Sequence, residues 1–344
     1  MRFTHASGLH AVERALDALH LEMIRSTETE GSVRLAVANI VAAGTDHADA
    51  EHAVDVLCAL GEGHPARAIV ILAMPEREPS IEADISFHCR PGTERICTEL
   101  VRLIVQGEPA LHLASIVTPL LIPDIDVHLW LVGAPRLAQA FRHDTVTLCE
   151  RIVLDSGRYD DAPATLGAIA DELVRHGADL SIGDIAWERS RIWRELCAQS
   201  FDGATMLPFL SNIESIDIAS RGSAPSSQAW LLAGWLSSRL RWPEHGRPRL
   251  NITCSPQPKI ADADLVSIRL ACAAQTRDAT VSLERHASTI VATVTVGGAQ
   301  LTSRAISIRD ADDTELVGGL IADGGDDRIY ADAVAQAVEL ASEE

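Results

Sequence analysis

The chain has 344 residues, 47% of them hydrophobic, which suits two domains of ordinary size with packed cores and excludes a disordered class. Its formal net charge of -20 argues against a nucleic-acid backbone or an anionic membrane as partner and fits a soluble protein. Aromatic residues are only 4% and Lys259 is the sole lysine, so the cores are Leu, Ile, Val and Ala, and a lysine nucleophile or P-loop lysine lacks candidates.

Residues 1–16 carry no apolar signal core and no cleavage pattern, so a cytoplasmic protein is expected. Val12, Leu16, Leu19 and Met23 at helical spacing predict a helix over His10–Arg25. Val33–Val41 reads as a strand. Ala48–Leu60 reads as a helix with Gly61 as its C-cap, and Ala68–Ala73 as a buried strand. Ile81–His88 and Ile96–Val105 alternate around the turn signal Arg90-Pro91-Gly92-Thr93, which predicts a hairpin beside that strand. Leu111–Leu121 reads as one short buried helix, ended by Pro119 and Pro123. Asp124 and Asp126 open a turn, and Val127–Val132 predicts a strand covered on both faces, with Trp130 inside the fold. These prolines and aspartates interrupt a run that would need about 20 apolar residues to cross a membrane.

A helix around Leu137–His143, a strand over Glu150–Asp155 and a helix from Pro163 to His176 follow. Ile213–Ala219 reads as a strand, and Ser226 or Ser227 caps a helix over Gln228–Trp242. Pro243–Pro258, rich in Pro and Arg, reads as a long connection. Four strands begin at Leu265, with Gly297-Gly298 between the last two, and two helices, Thr314–Ile321 and Ile329–Leu340, close the chain. The expected class is α/β with two domains, each a mostly buried mixed sheet flanked by helices. The boundary is drawn to give an N-terminal α/β domain over 1–145 and a C-terminal α/β domain over 146–344.

Gly61-Glu62-Gly63-His64-Pro65-Ala66 has the letters of a dinucleotide fingerprint in the wrong context: a helix precedes it, a strand follows, and Pro65 lacks an amide donor. No cofactor is expected. The acidic residues at 310–315 and 323–327 lack the alternate ligand spacing of a calcium loop and read as helix caps and solvated carboxylates. The chain has no Cys-x-x-Cys, His-Glu-x-x-His or Gly-x-Ser-x-Gly, so neither a metal nor a catalytic site is expected. His88, Cys89 and Cys97 would need a fourth ligand from elsewhere.

Seven cysteines, odd in number and widely spaced, read as reduced thiols. Cys89 and Cys97 are the redox candidates. A turn centred on Thr93 sets them opposite each other, with Cα atoms as close as ~4.5 Å, which a disulfide can bridge. Two packed thiols is the plainer reading.

Residues 184–196, DIAWERSRIWREL, are dense in Trp and Arg. Ser190 or Arg191 starts a helix that turns Ile192, Trp193, Leu196, Cys197 and Phe201 inward. Trp187 and Arg189 fall in the approach, so Trp187 is expected to keep an exposed edge while Trp193 is buried. One reading is a packed Trp with an Arg194–Glu195 surface pair. The other is a contact surface, since Trp and Arg are enriched interface anchors. An anionic-ligand site made by Arg189 and Arg194 is a third. The partner-binding candidates are therefore Trp187, Arg189 and Arg194.

The order ARAIVIL, ISFHC…RIC, SIVTPLLIPDIDVHLW, RIVLDS, DIAWERSRIWRELCAQSFD and AWLLAGWLSSRLRW resembles the glucose-6-phosphate dehydrogenase assembly protein family, OpcA, of actinobacteria and cyanobacteria. The resemblance covers roughly residues 65–242. Its most specific pieces are Pro-Leu-Leu-x-Pro-Asp…Leu-Trp at 119–130 and Trp-x-Arg…Trp-Arg-Glu-Leu at 187–196. This chain departs from the family's usual Pro at Ile192 and Thr near Arg191. The resemblance implies a non-enzymatic assembly factor and allosteric activator of glucose-6-phosphate dehydrogenase, with the dehydrogenase as partner, that controls entry into the oxidative pentose phosphate pathway. Two other classes stay open: a sugar-phosphate-binding enzyme, such as a lactonase-like hydrolase using Arg189, Arg194 and a histidine, and a sensor of a phosphorylated metabolite.

Overall fold

The computed structural model describes residues 4–30, 38–61, 65–89, 97–242, 246–255, 264–274, 277–309, 311–323 and 327–343. The chain is α/β and forms two compact units, each assembled from three segments. The first takes Met1–Asp155, His176–Gly183 and Asp313–Asp326; the second takes Ser156–Arg175, Asp184–Asp312 and Asp327–Glu344. Among the described residues no helix is long and apolar enough to cross a membrane.

The first unit is built on a mixed sheet. Its strands are β1 (Thr4–Ser7), β2 (Ala38–Gly44), β3 (Ala66–Met74), β4 (Ser80–Cys89), β5 (Cys97–Gln106), β6 (Val127–Leu131), β7 (Arg151–Leu154) and β8 (Ser181–Asp184), in the order β1-β4-β5-β3-β2-β6-β7-β8. The central strands β2, β3 and β6 are near-continuous apolar runs paired in parallel, as strands buried on both faces require. The alternating strands β4 and β5 pair antiparallel, as expected of the hairpin, whose turn lies outside the described residues. Their register sets Cys89 opposite Cys97; the side chains of these two lie outside the described residues. Trp130 is 3% exposed on β6, inside the sheet as expected.

Helix α1 spans Leu9–Glu30 and α2 spans His47–Leu60. Asp46 caps α2, accepting from Asp49 N at 2.9 Å. Gly61 follows α2 with φ -61°, not in the left-handed region. Its need for glycine is steric, since a Cβ there would lie 2.1 Å from Thr98 Oγ1. A helix before 61 and β3 after 65 reproduce the context that argued against a dinucleotide loop; residues 62–64 lie outside the described set.

The stretch Leu111–Leu121 is not one helix. It breaks into a 3-10 turn at Glu108–Leu111, an α-turn at Leu113–Val117 and a second 3-10 turn at Thr118–Leu120. Pro109 and Pro119 each remove an amide donor, and Leu111 is left exposed. The corner that follows is clamped by buried Asn39. Its amide donates to Ile122 O at 2.9 Å and Ile125 O at 3.0 Å, and its Oδ1 accepts from Ile122 N at 2.9 Å. The clamp delivers β6 into register beside β2.

The second unit carries α3 (Ala162–His176, its last residue in the first unit), α4 (Ile185–Arg189), α5 (Arg191–Gln199) and α6 (Ser227–Leu240). Its sheet comprises β9 (Ile213–Arg221), β10 (Arg249–Ser255), β11 (Leu265–Ala274), β12 (Arg277–His286), β13 (Thr289–Val296) and β14 (Ala299–Ser307), in the order β10-β9-β11-β12-β13-β14. Strand β10 corrects the expected long connection over Pro243–Pro258. Only Leu250 and Ile252 mark it as apolar, and its partner β9 lies parallel, across the α6 crossover. Helix α7 (Asp313–Asp323) belongs to the first unit, and α8 (Arg328–Ser342) packs against α6 in the second.

Candidate functional site

The Trp/Arg segment begins where β8 ends. Asp184 is fully buried and serves as the N-cap of α4, accepting from Ala186 N at 2.9 Å. The same carboxylate accepts from Ser156 N at 3.0 Å and from the Tyr330 hydroxyl at 3.1 Å. A buried charge is tolerable when hydrogen-bonded on this scale. The helix then stops at Ser190, whose Oγ donates to Trp187 O at 2.8 Å, and α5 starts at Arg191, at the expected position. The approach segment that precedes it, Ile185–Arg189, is a helical turn of its own.

That turn buries Trp187, which is 2% exposed and not the exposed edge expected from its neighbours in sequence. The reason is long-range. Trp187 Nε1 donates to Asp327 Oδ2 at 2.8 Å, and the rings of Trp187 and Tyr330 lie 5.7 Å apart at a tilt of 54°. Asp327 also caps α8, accepting from Tyr330 N at 3.0 Å. Arg194 closes the other side, with its guanidinium carbon 3.3 Å from the Trp187 ring centroid and Nη2 donating to Trp187 O at 3.1 Å. The expected Arg194–Glu195 surface pair is thus replaced by a cation–π stack.

Burial pushes the Arg194 pKa down to about 10, while Glu188 and Asp327 oppose the shift. It stays a cation at neutral pH. Burial, and then Asp184, hold the Tyr330 phenol well above its ordinary range, so it remains a neutral donor. Arg189 is half-buried, and Trp193 is buried with Leu196, Cys197 and Phe201 as expected. Cys149 and Cys197 are pushed up to about 12 by burial, which makes both inert as nucleophiles near neutrality.

The segment offers solvent a different set of residues from the candidates. Arg191, Glu195, Ala198 and Gln199 are exposed on the outer side of α5, and Arg191 pairs with Glu188. Their i, i+4 and i+7, i+8 spacing was the available signal. Leu196 and Gln199 also line a groove of about 440 Å³ completed by Met206, Val294, Leu301 and Arg304.

Comparison with known proteins places this geometry in a family context. A model described as the glucose-6-phosphate dehydrogenase subunit N-terminal domain matches residues 58–171, and one described as the C-terminal domain of that subunit matches residues 180–334. A protein of Synechocystis named as OxPP cycle protein OpcA is 22% identical over 306 residues, covering 80% of this chain and 63% of its own length. One of the same name from Nostoc punctiforme is 26% identical over 183 residues, covering 52% of this chain and 38% of its own length. The chain therefore spans less than two thirds of the length of either relative. A crystal structure of an oxidoreductase domain protein from Kribbella flavida aligns with 90% of this chain and 98% of its own, at 11% identity and a TM-score of 0.37, too slight a likeness to build on.

Proposed function

The chain belongs to the glucose-6-phosphate dehydrogenase assembly protein (OpcA) family, and from that premise we propose that it is a non-enzymatic assembly factor and allosteric activator of glucose-6-phosphate dehydrogenase. It acts in the cytoplasm and governs entry into the oxidative pentose phosphate pathway. The observation that carries this reading is the pair of family matches, both described as domains of a dehydrogenase subunit and lying on 58–171 and 180–334. The charge of -20 supports a partner surface that is neutral or basic.

In this reading the Trp/Arg segment contributes indirectly and directly. Trp187 and Arg194 hold α4 and α5 in place, and half-buried Arg189 with exposed Arg191 and Glu195 meets the dehydrogenase. The purified protein alone should show no dehydrogenase activity and no tight NADP binding. It should co-purify with its cognate dehydrogenase and raise that enzyme's activity. Absence of both complex and activation at micromolar concentrations would sink the reading. Glu195→Arg should weaken the complex about tenfold while leaving the melting temperature nearly unchanged if α5 is a contact with a neutral or basic surface.

A further inference from the structure

The sheet of the second unit has two unlike faces. On one, Ile218, Ile268, Leu270, Val281 and Leu283 are fully buried, and α5 and α6 pack against β12 and β9. The strand registers align the other face in transverse rows. One row runs Asn251, Asp217, Arg269, Ser282, Thr293, Ser303 across all six strands, each exposed or half-exposed. The row beside it carries Ala219, Ser267, Glu284, Val291 and Ala305. The side chains are mostly small and uncharged. β14, at the edge, is exposed along almost its whole length.

Two properties of this face are unusual for the chain that carries it. Across the three central rows Arg249 and Arg269 balance Asp217 and Glu284, so the face is neutral in a protein of net charge -20. Six strands at a spacing of about 4.8 Å and about 30 Å long offer roughly 700 Å², close to the ~800 Å² per partner of a stable interface. An open edge such as β14 also invites pairing unless something covers it.

We propose that this face is where a second copy of the chain docks, sheet against sheet. Two copies each carrying -20 repel overall, and a patch of no net charge lowers that repulsion where they meet. A two-fold axis parallel to the strands, through the middle of the sheet, sets β11 of one copy over β12 of the other and β14 over β10. Arg269 of each copy then lies beside Glu284 of the other, giving two equivalent ion pairs. This dimer is independent of any contact with the dehydrogenase.

Sedimentation of the whole chain, alone, tests it. The wild type should be a dimer at micromolar concentration. Arg269→Glu and Glu284→Arg should each raise the dissociation constant about tenfold or more, since each places two like charges in opposition. Mixed in equal amounts, the two variants should recover wild-type affinity, because both ion pairs re-form only between unlike chains. Thermal melts should leave both folds intact; should one variant misfold, Ser303→Arg on exposed β14 should give a folded chain with weakened association. A monomeric wild type overturns the proposal, as does a mixture no tighter than either variant. So does a monomer whose variants lose capture of the dehydrogenase, which would assign the face to that enzyme.

Discussion

Arg194 rests its guanidinium 3.3 Å from the centroid of the Trp187 ring while donating to the same residue's carbonyl oxygen. A cation removed from water is held by what replaces its hydration, and here a π face and a carbonyl replace part of it, while Nε is buried without a hydrogen-bond partner among the described residues. The stack ties α4 to α5, and the Trp187 bond to Asp327 ties both to the start of α8.

Trp187→Ala should therefore destabilise the protein by about 3–5 kcal/mol, as for other buried large aromatics. Trp187→Phe keeps a ring under Arg194 but leaves Asp327 Oδ2 without its indole donor, so it should cost less, about 1–3 kcal/mol. Urea unfolding of the two variants checks the order. A Trp187→Ala variant as stable as wild type would mean the ring is not packed as described.

Arg194→Met retains the aliphatic stem and removes the charge. It should cost about 2 kcal/mol, the value of a desolvated cation–π contact. The loss should be nearly independent of salt, because buried pairs are poorly screened. A double-mutant cycle with Trp187→Leu should show coupling of about 1 kcal/mol or more. Additive losses would show that the two side chains do not act on each other.

How far the sequence reaches is clear from three residues. Trp130 was legible because Val127–Val132 is a nearly continuous apolar run, broken only by His128, and a strand covered on both sides is what such a run fits. Trp193 was legible because Leu196 and Cys197 repeat its spacing on one helix face. Trp187 was not, because its partner Asp327 is 140 residues away and Tyr330 follows it, and local pattern carries no information at that range. Short elements failed for a related reason. The four residues of β8 and the weakly apolar β10 are held by pairing, not by their own composition. The family resemblance, not periodicity, named the dehydrogenase.

Tyr330 should make stability fall in alkali. Its hydroxyl is buried against Asp184, so the folded state holds the proton more tightly than the unfolded state does. Its contribution is fully present below pH 10.0, the unfolded value, and is lost as pH rises toward the folded pKa. Each such group loses about 1.4 kcal/mol per pH unit. Cys149, Cys197 and Cys272, raised from 9.0 to about 12, act in the same sense from pH 9 upward. Tyr330→Phe isolates the phenol. Above pH 10 its stability should fall less steeply than wild type by about that slope, and parallel curves would contradict the assignment.

Oxidation should cross-link Cys89 to Cys97 before any other pair. The register of β4 and β5 sets the two directly opposite, and opposed antiparallel residues have Cα atoms about 4.5–5.5 Å apart, within disulfide span. The buried thiols of Cys197 and Cys272, both pushed up to about 12, are poor nucleophiles by comparison. Peptide mass spectrometry after mild oxidation decides it, and a Cys197–Cys272 bridge appearing first would refute the order.

Gly234 sets helix propensity against close packing, and the sign of its substitution discriminates. Alanine in a helix interior is favoured over glycine by about 1 kcal/mol. At Gly319, exposed in α7, a Cβ would meet nothing within 4 Å, so Gly319→Ala should stabilise by roughly 0.4–1 kcal/mol. At Gly234, in α6, a Cβ would stand 2.1 Å from Ala333 O and 2.7 Å from Ala337 N on α8. Both are backbone atoms and cannot swing aside, so the two helices must separate along their contact. Forced overpacking of this kind costs about 1–3 kcal/mol, which outweighs the propensity gain. Gly234→Ala should therefore destabilise while Gly319→Ala stabilises, with urea midpoints moving in opposite directions. Midpoints that move together would show that α6 and α8 do not approach as closely as their backbones here indicate.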